Sequence, residues 1–478
     1  MMPSIKARID SYFGVRASGS SLRTEALAGT TTFLTMAYII FVQPTVLSGR
    51  MFGQDTGMDF GAVTVATCLA AMLATLLMGF YARYPVALAP GMGANFFFVL
   101  TVIPAAAATA PGQGWQIGLG VIFISGLLFL LITLTGLREA VMNAISPDLK
   151  NGIAVGIGLF IAFVGLQNTR LIVSSPGTSV SLNTNFASPD IIVFFVGLIV
   201  TSALHGRRVP GSILLGIIFS TLLSVLARYV IPHLPEAIST SPVVLQSMLM
   251  TDFRPVTKLV SHPPSLAPTF MAMDLTGAFA LSMIPYIVIF LFIDLFDTMG
   301  TLVAISHRAG LVDSQGSLPR ANQAFLADAA GTVVGAGLGT STVTSFIESA
   351  AGVEQGGRTG LTAIVTGLFF LLALFFTPAV NMVGSYTPIT APALVIVGAM
   401  MLQNIAHIDL ANYAESIPAF IIMLGIPLSY SIADGIALGL ISYPAIKLLS
   451  GRGREVSWIM YVLGVLMLFY FPLLRAGL

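Results

Sequence analysis

Long apolar runs separated by short polar stretches follow one another along most of the chain. Runs of about 20 apolar residues cross a bilayer as helices, so the pattern predicts an all-α polytopic membrane protein with fourteen transmembrane segments. A further apolar run at 458–472 either crosses as a fifteenth segment or packs at the membrane without crossing. The fourteen segments lie at about 25–46, 61–82, 86–103, 115–135, 152–168, 189–205, 211–231, 277–304, 322–338, 340–352, 358–377, 388–404, 414–429 and 432–449.

The last seven segments repeat the first seven. The stretch Gly126-Leu-Leu-Phe-Leu-Leu is similar to Gly367-Leu-Phe-Phe-Leu-Leu, 241 residues later. The stretch Gly165-Leu-Gln-Asn is similar to Met401-Leu-Gln-Asn, 236 residues later. Because seven is an odd number, the second copy enters the membrane from the opposite side. This inverted repeat is typical of secondary transporters.

Composition supports the membrane assignment and excludes several other classes. Hydrophobic residues make up 56% of the 478 residues, charged residues 9%, and the mean hydropathy is +0.93. A soluble protein of this size has no means of burying so much apolar surface. The single cysteine, Cys68, excludes a disulfide framework. The five histidines are scattered, so we expect no metal and no resident cofactor.

The basic residues predict the orientation of the chain. With a cytoplasmic amino terminus and fourteen crossings, fifteen Lys and Arg residues lie on the cytoplasmic side and five on the other. Cytoplasmic loops carry such an excess. We therefore expect a multi-pass protein of the cell (inner or plasma) membrane with its amino terminus inside. The loop at 232–276, rich in Pro, Ser and Thr, is then external and suited to the membrane surface.

Two segments at corresponding places in the repeats, the third and the tenth, are poor helices. Leu88–Phe96 contains a proline, two glycines and an asparagine, and Gly335–Ser349 contains three glycines and a run of Thr and Ser. Paired interrupted segments point to the midplane binding site of a transporter. Non-helical backbone is tolerated at that depth only where protein or a water-filled cavity satisfies its polar groups.

Three acids lie inside apolar segments. Asp294 and Asp297 are three positions apart in the eighth segment, which places them on nearly one face of a helix. A carboxylate at the membrane centre costs roughly 2.5–3.5 kcal/mol, which indicates a polar cavity or a function. Asp297 is alternatively an acid at the headgroups. Glu348, in the tenth segment, is alternatively a helix-terminal carboxylate satisfied by backbone N–H groups.

These acids and Asn95 form a set of hydrogen-bond acceptors without a buried Lys or Arg. A planar neutral ligand with N–H and C=O groups suits such a set, and Phe96, Phe296 or Phe346 offers a stacking face. A buried carboxylate also takes up a proton readily. We therefore assign Glu348 mainly to the ligand and Asp294 to ligand and proton, with Asp297 tuning the pair. A proton is the expected coupling ion, with sodium as the alternative.

Four stretches of the chain resemble the AzgA-like purine permeases of the nucleobase transporter (uracil–xanthine permease) superfamily. The likeness covers nearly the whole chain. Ser349 stands where the wider superfamily has an asparagine, which favours the AzgA-like branch. The four stretches are Thr30–Pro44, Pro90–Asn95, Asp294–Thr301 and Thr344–Gly360.

This resemblance implies a 7+7 inverted repeat with a core domain (segments 1–4 and 8–11), a gate domain (5–7 and 12–14) and a short strand in each broken segment. It also implies import of adenine, guanine or hypoxanthine with a proton, by an elevator movement and often as a homodimer. The corresponding parts of the chain are the cytoplasmic amino terminus 1–23, the core halves 24–150 and 277–378, the gate halves 151–231 and 379–450, the external loop 232–276 and a membrane-associated end at 451–478.

The resemblance also implies that the acids at Asp294 and Glu348 meet the base. The expected proton-coupling residues are Asp294, Asp297 and Glu348. The expected substrate-binding residues are Asp294, Glu348, Asn95, Phe96, Phe346, Ser345 and Thr342.

Two other functions remain open at this point. One is an anion permease of the sulfate type on the same fold, against which three site acids and no site cation argue. The other is an intramembrane aspartyl protease, which also needs two membrane carboxylates. Asp294 and Asp297 share one helix, however, and no Gly-x-Gly-Asp motif accompanies them.

Overall fold

The computed structural model describes residues 5–136, 144–311 and 318–471, and these parts are mostly helical, as predicted. Ten of the described helices are long and apolar enough to cross a membrane. Segments 1–7 are Leu22–Leu47, Phe60–Ala82, strand Leu88–Pro90 with helix Met92–Thr109, Gly114–Thr135, Pro147–Asn168, Pro189–Gly206 and Ser212–His233. Segments 8–14 are Ile284–Ala309, Ala321–Leu338, strand Val343–Ser345 with helix Ser349–Glu354, Gly360–Gly384, Ala391–His407, Tyr413–Ser429 and Ile432–Leu449.

Side-chain caps start several of these helices. Each of these caps is a Ser, Thr or Asp whose side-chain oxygen accepts a hydrogen bond from a backbone N–H of the first turn, which otherwise has no partner. The sequence therefore marks where these membrane helices begin. The capping residues are Ser21, Asp59, Ser146, Thr359 and Ser431.

The two broken segments meet, which confirms the prediction of short strands in segments 3 and 10. Leu88–Pro90 and Val343–Ser345 pair antiparallel, with Ala89 opposite Thr344. A short helix follows each strand: Met92–Phe97 follows the first strand and Ser349–Glu354 follows the second. A two-fold axis in the membrane plane relates inverted repeats, and it brings equivalent strands together in opposite directions. The strand pair is therefore the centre of the fold.

The segments pack in two groups. Segment 1 packs on segment 11, segment 4 on segment 9, and segment 2 on both 9 and 11. Segment 5 packs on 12 and 13, segment 13 on 14, and segment 6 on 7 and 12. We call the first set the core group and the second the gate group. The short strands and the acids of segments 8 and 10 belong to the core group.

The loop at 232–276 packs onto the helices through several of its residues. Its first part packs on the gate group, where Leu249 and Phe253 are fully buried. The carboxylate of Asp190, at the start of segment 6, accepts hydrogen bonds from the N–H groups of Met248 and Leu249 at 2.9 and 3.0 Å. Tyr386 donates to the same carboxylate at 2.8 Å. The apolar residues spaced through the loop explain this burial.

The second part of the loop packs on the core group. The N–H of Met271 donates to the carbonyl of Gly337 at 2.7 Å, and the hydroxyl of Thr269 donates to the carbonyl of Leu338 at 3.0 Å. Gly339, with φ of +98°, makes the turn out of segment 9 and leaves no room for a Cβ beside Thr269. The loop therefore contacts both groups of helices.

The apolar run at the end of the chain forms a helix, Trp458–Tyr470, that packs along segment 14. Met460 and Met467 are buried on its inner face. An ionic cluster holds the connecting turn, because Lys447 contacts both Glu415 and Glu455 at 2.7 and 2.8 Å. Arg452 and Lys447 together lower the pKa of Glu455 to about 2.

Candidate functional site

Asn95 ties the third segment to the first. Its side-chain N–H donates to Gln43 of segment 1, and the hydroxyl of Ser341 donates to its side-chain oxygen. Gln43 in turn donates to Thr340 and Ser341, both at 2.9 Å. All of these side chains are fully buried. In this state the protein itself occupies the hydrogen-bonding groups of Asn95, and the network fixes the backbone that enters the strand Val343–Ser345.

Glu348 lies at the start of the short helix Ser349–Glu354, and its side chain is half-buried. The carboxylate does not cap that helix. Its oxygen Oε1 instead accepts a hydrogen bond from the hydroxyl of Tyr38, at 2.7 Å. The hydroxyl of Thr35, one turn earlier in segment 1, lies 3.3 Å from the backbone carbonyl of Glu348. Segment 1 therefore holds both the backbone and the side chain of this acid.

Asp294 faces segment 9. One of its oxygens, Oδ2, accepts a hydrogen bond from Thr332 at 2.7 Å, and the same hydroxyl lies 3.0 Å from the carbonyl of Val343. The residue is 2% exposed. Its other oxygen, Oδ1, is buried and has no hydrogen-bond partner. An unpartnered buried carboxylate oxygen is costly, which marks Asp294 as more than a structural residue.

Asp328 is a fourth intramembrane acid, in segment 9, that sequence reasoning missed. It is fully buried. Ser345 donates to its Oδ1 at 3.0 Å, and its Oδ2 is buried without a partner. Thr332 lies one helical turn after Asp328, so both side chains are on the face of segment 9 that contacts Asp294. Asp328 is the carboxylate that interacts most strongly with Asp294, ahead of Asp297.

Asp297 separates from Asp294 in the folded chain. Three positions along a helix are a rotation of about 60°, which is enough to bury Asp294 and leave Asp297 exposed. The strongest charged neighbour of Asp297 is Glu348. The hydroxyls of Thr298 and Thr344 bond at 2.9 Å close by. The sequence pattern thus predicts one pair of acids, whereas in the folded chain Asp294 interacts most strongly with Asp328 and Asp297 with Glu348, and Asp297 also influences Asp294 and Asp328.

The remaining predicted site residues form the walls of this region. Phe96 is fully buried and lies edge-on to Phe52 and Phe160, with ring centres 5.7 and 6.0 Å apart. Phe346 is 5% exposed, at the end of the strand Val343–Ser345. Thr342 is buried, and its carbonyl accepts a hydrogen bond from Gly91 at 2.9 Å. Ser345 contacts Asp328 as described above.

Other buried acids of the chain behave differently. Glu25 is fully buried, yet its two oxygens accept hydrogen bonds from Arg358, Thr359 and Thr362 at the start of segment 11. Asp190 is paired through both oxygens as well. These two acids are structural. Among the described residues, Asp294 and Asp328 are the acids that keep a buried oxygen unpaired.

The ionisable groups of the site are acids. Among the described residues, no Lys or Arg influences Asp294, Asp297, Asp328 or Glu348. No cluster of three or more His, Cys, Asp or Glu residues in the described parts is arranged to hold a metal ion. The carboxylates of the site can therefore accept hydrogen bonds from a ligand with N–H groups. The two unpaired oxygens of Asp294 and Asp328 can bind a proton.

Three residues of the site, Asp328, Tyr38 and Gln43, were not selected from the sequence. Asp328 satisfies the criterion that selected Asp294, because it is an acid within an apolar run. Tyr38 and Gln43 lie within the stretch Thr30–Pro44 that carries part of the family resemblance. A buried glutamine in an apolar helix is a comparable signal, since it needs partners for its amide.

The chain is similar over nearly its whole length to named permeases. The model of a permease family (Xan_ur_permease) matches residues 23–438. The guanine/hypoxanthine permease PbuG of Bacillus subtilis is 42% identical over 469 residues, which cover 97% of this chain and 99% of that protein. The adenine permease AdeP of Escherichia coli is 39% identical over 449 residues, covering 94% of this chain and 92% of that protein.

A solved structure shares the fold. The transmembrane domain of a cyanobacterial bicarbonate transporter, BicA, matches with a TM-score of 0.59, covering 88% of this chain and 97% of that domain. The sequence identity is 14%. This likeness supports the inverted-repeat architecture and says nothing about the substrate.

Proposed function

Because this chain belongs to the permease family of the nucleobase transporter (uracil–xanthine permease) superfamily, we propose that it imports purine nucleobases by proton symport. The observation that carries the proposal is the set of acids at the meeting point of the two broken segments. Glu348 has one oxygen held by Tyr38 and a second available to a ligand, and Asp294 lies beside Asp328 with unpaired oxygens buried between helices.

The substrate follows from the acceptor chemistry and from the relatives. PbuG is a guanine/hypoxanthine permease and AdeP an adenine permease. A purine base is planar and carries N–H donors that a carboxylate accepts well. An anion would meet four acids and, among the residues that the structure describes, no Lys or Arg that acts on them, which argues against the sulfate-type alternative. Adenine, guanine and hypoxanthine are therefore the proposed substrates.

Substrate choice is tested by competition. We expect unlabelled adenine, guanine or hypoxanthine to suppress uptake of a radiolabelled purine, whereas xanthine, uracil, sulfate and bicarbonate leave it unchanged. One additional hydrogen-bond mismatch is enough to exclude a base from such a site. Competition by sulfate or bicarbonate would favour the anion permease instead.

The proposed proton site is the pair Asp294 and Asp328. Two ionised carboxylates buried side by side repel each other, and each would leave an unpaired charged oxygen in an apolar interior. One proton shared between them removes both costs. Asp297 interacts with both members of the pair and with Glu348, so through Asp297 the charge on the pair influences the group that binds the base. Affinity for the base then depends on protonation, which is the requirement for coupling.

The proposed movement is a displacement of the core group against the gate group. The acids lie on segments of the core group, and ring contacts are among those that cross the boundary between the described helices. Lys150 of segment 5 lies over the ring of Phe296 at 5.1 Å, and Phe160 packs on Phe96. Such contacts are suited to sliding. A plasma-membrane protein with a cytoplasmic amino terminus, on the basis of the basic-residue count, and the homodimer that the family resemblance implies complete the proposal.

Proton coupling is tested by separating the two candidate ions. We expect radiolabelled purine uptake into proteoliposomes to follow an inward proton gradient and to collapse with a protonophore. Replacing sodium by choline at fixed pH should leave uptake unchanged, because the buried pair is satisfied by a proton. Sodium dependence at fixed pH would reverse the assignment of the coupling ion.

Asp297 is expected to matter less than Asp294. Asp297 is exposed and has no buried unpaired oxygen, so an amide in its place creates no buried defect. We expect Asp297→Asn to reduce the rate of uptake roughly three- to tenfold, because a charge beside Glu348 and the buried pair is lost while both members of the pair remain, and Asp294→Asn to abolish accumulation. Initial rates at matched protein levels make the comparison. Equal and complete loss in both variants would show that Asp297 is part of the proton site.

A further inference from the structure

Tyr38 is the partner of the acid that is proposed to bind the base. Among the described residues, it is the one side chain that hydrogen-bonds the carboxylate of Glu348. The bond reaches 310 residues along the chain, from segment 1 to segment 10. Tyr38 is 1% exposed, so its ring has little freedom to move.

Segment 1 is shaped to place this hydroxyl. Its helix is interrupted at Ala37 and Tyr38, where the N–H of Ile40 bonds the carbonyl of Ala37 three residues back. Thr35 donates to backbone carbonyls of the preceding turn, a bond that often bends helices. The bend lets Thr35 hold the backbone of Glu348 while Tyr38 holds its side chain.

We propose that Tyr38 is a positioning residue for purine binding: it fixes oxygen Oε1 of Glu348 so that Oε2 faces the base. The inference rests on the proposed function and adds a residue of segment 1 to the site. A hydroxyl that donates to a carboxylate also stabilises the ionised form, which is the form that accepts an N–H of the base. We therefore expect loss of the hydroxyl to lower the affinity for the base more than it slows the movement of the core group.

The chain offers a matched control. Tyr386 is also a fully buried tyrosine whose hydroxyl donates to a carboxylate, that of Asp190, at 2.8 Å. Asp190 anchors the loop and lies outside the proposed site. Tyr386→Phe thus removes the same chemical group from the same kind of bond, without touching Glu348.

The first measurement is the KM and maximal rate of purine uptake by the full chain in proteoliposomes. Tyr38→Phe is expected to raise KM roughly tenfold or more, as the loss of one bond to a charged group implies, with the maximal rate changed less than about twofold. Tyr386→Phe should leave KM unchanged. An unchanged KM in Tyr38→Phe, or an equal rise in both variants, would overturn the proposal.

The second measurement needs no substrate. A hydrophobic carbodiimide modifies protonated buried carboxyls, and mass spectrometry of the purified protein follows its attachment to Glu348 as a function of pH. The titratable groups that face Glu348 among the described residues are Tyr38 from segment 1 and Asp297 from segment 8. We expect half-maximal labelling about one pH unit higher in Tyr38→Phe and no change in Tyr386→Phe.

The two measurements separate the two proposals. If wild-type protein takes up no purine but the labelling shift occurs, the proposed function fails while Tyr38 still positions Glu348. If uptake is normal and neither KM nor labelling changes in Tyr38→Phe, the role of Tyr38 is wrong and the proposed function stands.

Discussion

Replacing Glu348 with glutamine is expected to abolish purine uptake while the protein remains folded in the membrane. A carboxylate accepts N–H donors with both oxygens, whereas an amide presents an N–H₂ group on one side. The variant therefore loses a charge-assisted bond to the base and also changes the bond to Tyr38, since an amide nitrogen cannot accept from the hydroxyl. Bonds to charged groups contribute about 1.5–3 kcal/mol each, so two of them correspond to roughly a 10²- to 10⁴-fold loss.

The control lies on the same short helix. Glu354, six residues after Glu348, is exposed, and Glu354→Gln makes the same chemical change outside the site. We expect uptake within about twofold of wild type for that variant, in the range of ordinary surface substitutions. Radiolabelled purine uptake, with membrane levels measured by immunoblot, compares the two. Wild-type uptake by Glu348→Gln would remove this residue from the binding site.

Neutralising either member of the buried pair is expected to abolish proton-driven accumulation. Asp294→Asn and Asp328→Asn each replace a group that exchanges a proton with one that does not. The accumulation ratio should fall to about one, because coupling requires a difference in affinity between protonation states. Exchange of labelled for unlabelled purine at equal concentrations should persist in Asp328→Asn, since Asp328 is not placed against the base.

Two comparisons make this test specific. Asp59→Asn is the matched control: Asp59 is an exposed N-cap, and asparagine caps helices equally well. Accumulation at several imposed pH gradients, together with exchange at zero gradient, separates loss of coupling from loss of binding. Proton-driven accumulation in Asp328→Asn would show that Asp294 titrates alone and that the shared proton is wrong.

Much of the architecture was predictable from the chain itself. The apolar runs locate the membrane segments, because lipid admits only backbone that satisfies its own hydrogen bonds. The proline and glycine interruptions at Leu88–Phe96 and Gly335–Ser349 locate the two broken segments for the same reason, and the strand in each was predicted from the family resemblance. Such patterns can be read from one segment alone, because they do not depend on which other helices pack against it.

The pairing of the acids was decided by tertiary structure alone. Periodicity places Asp294 and Asp297 within about 60° of each other, but it does not say which helix faces either one. Segment 9 brings Thr332 and Asp328 to Asp294, and segment 10 brings Glu348 to Asp297. A change of a few tens of degrees in the rotation of one helix would exchange these partners.

The same holds for Tyr38, whose partner Glu348 lies 310 residues away. The sequence by itself determined the class of protein, the inverted repeat and the acids of segments 8 and 10. Only the folded chain decided which carboxylate oxygens are paired, since pairing depends on contacts between helices that are remote in sequence. Buried carboxylates are costly when unpaired, and for that reason the two acids that keep an unpaired buried oxygen among the described residues, Asp294 and Asp328, are the ones we propose as the proton site.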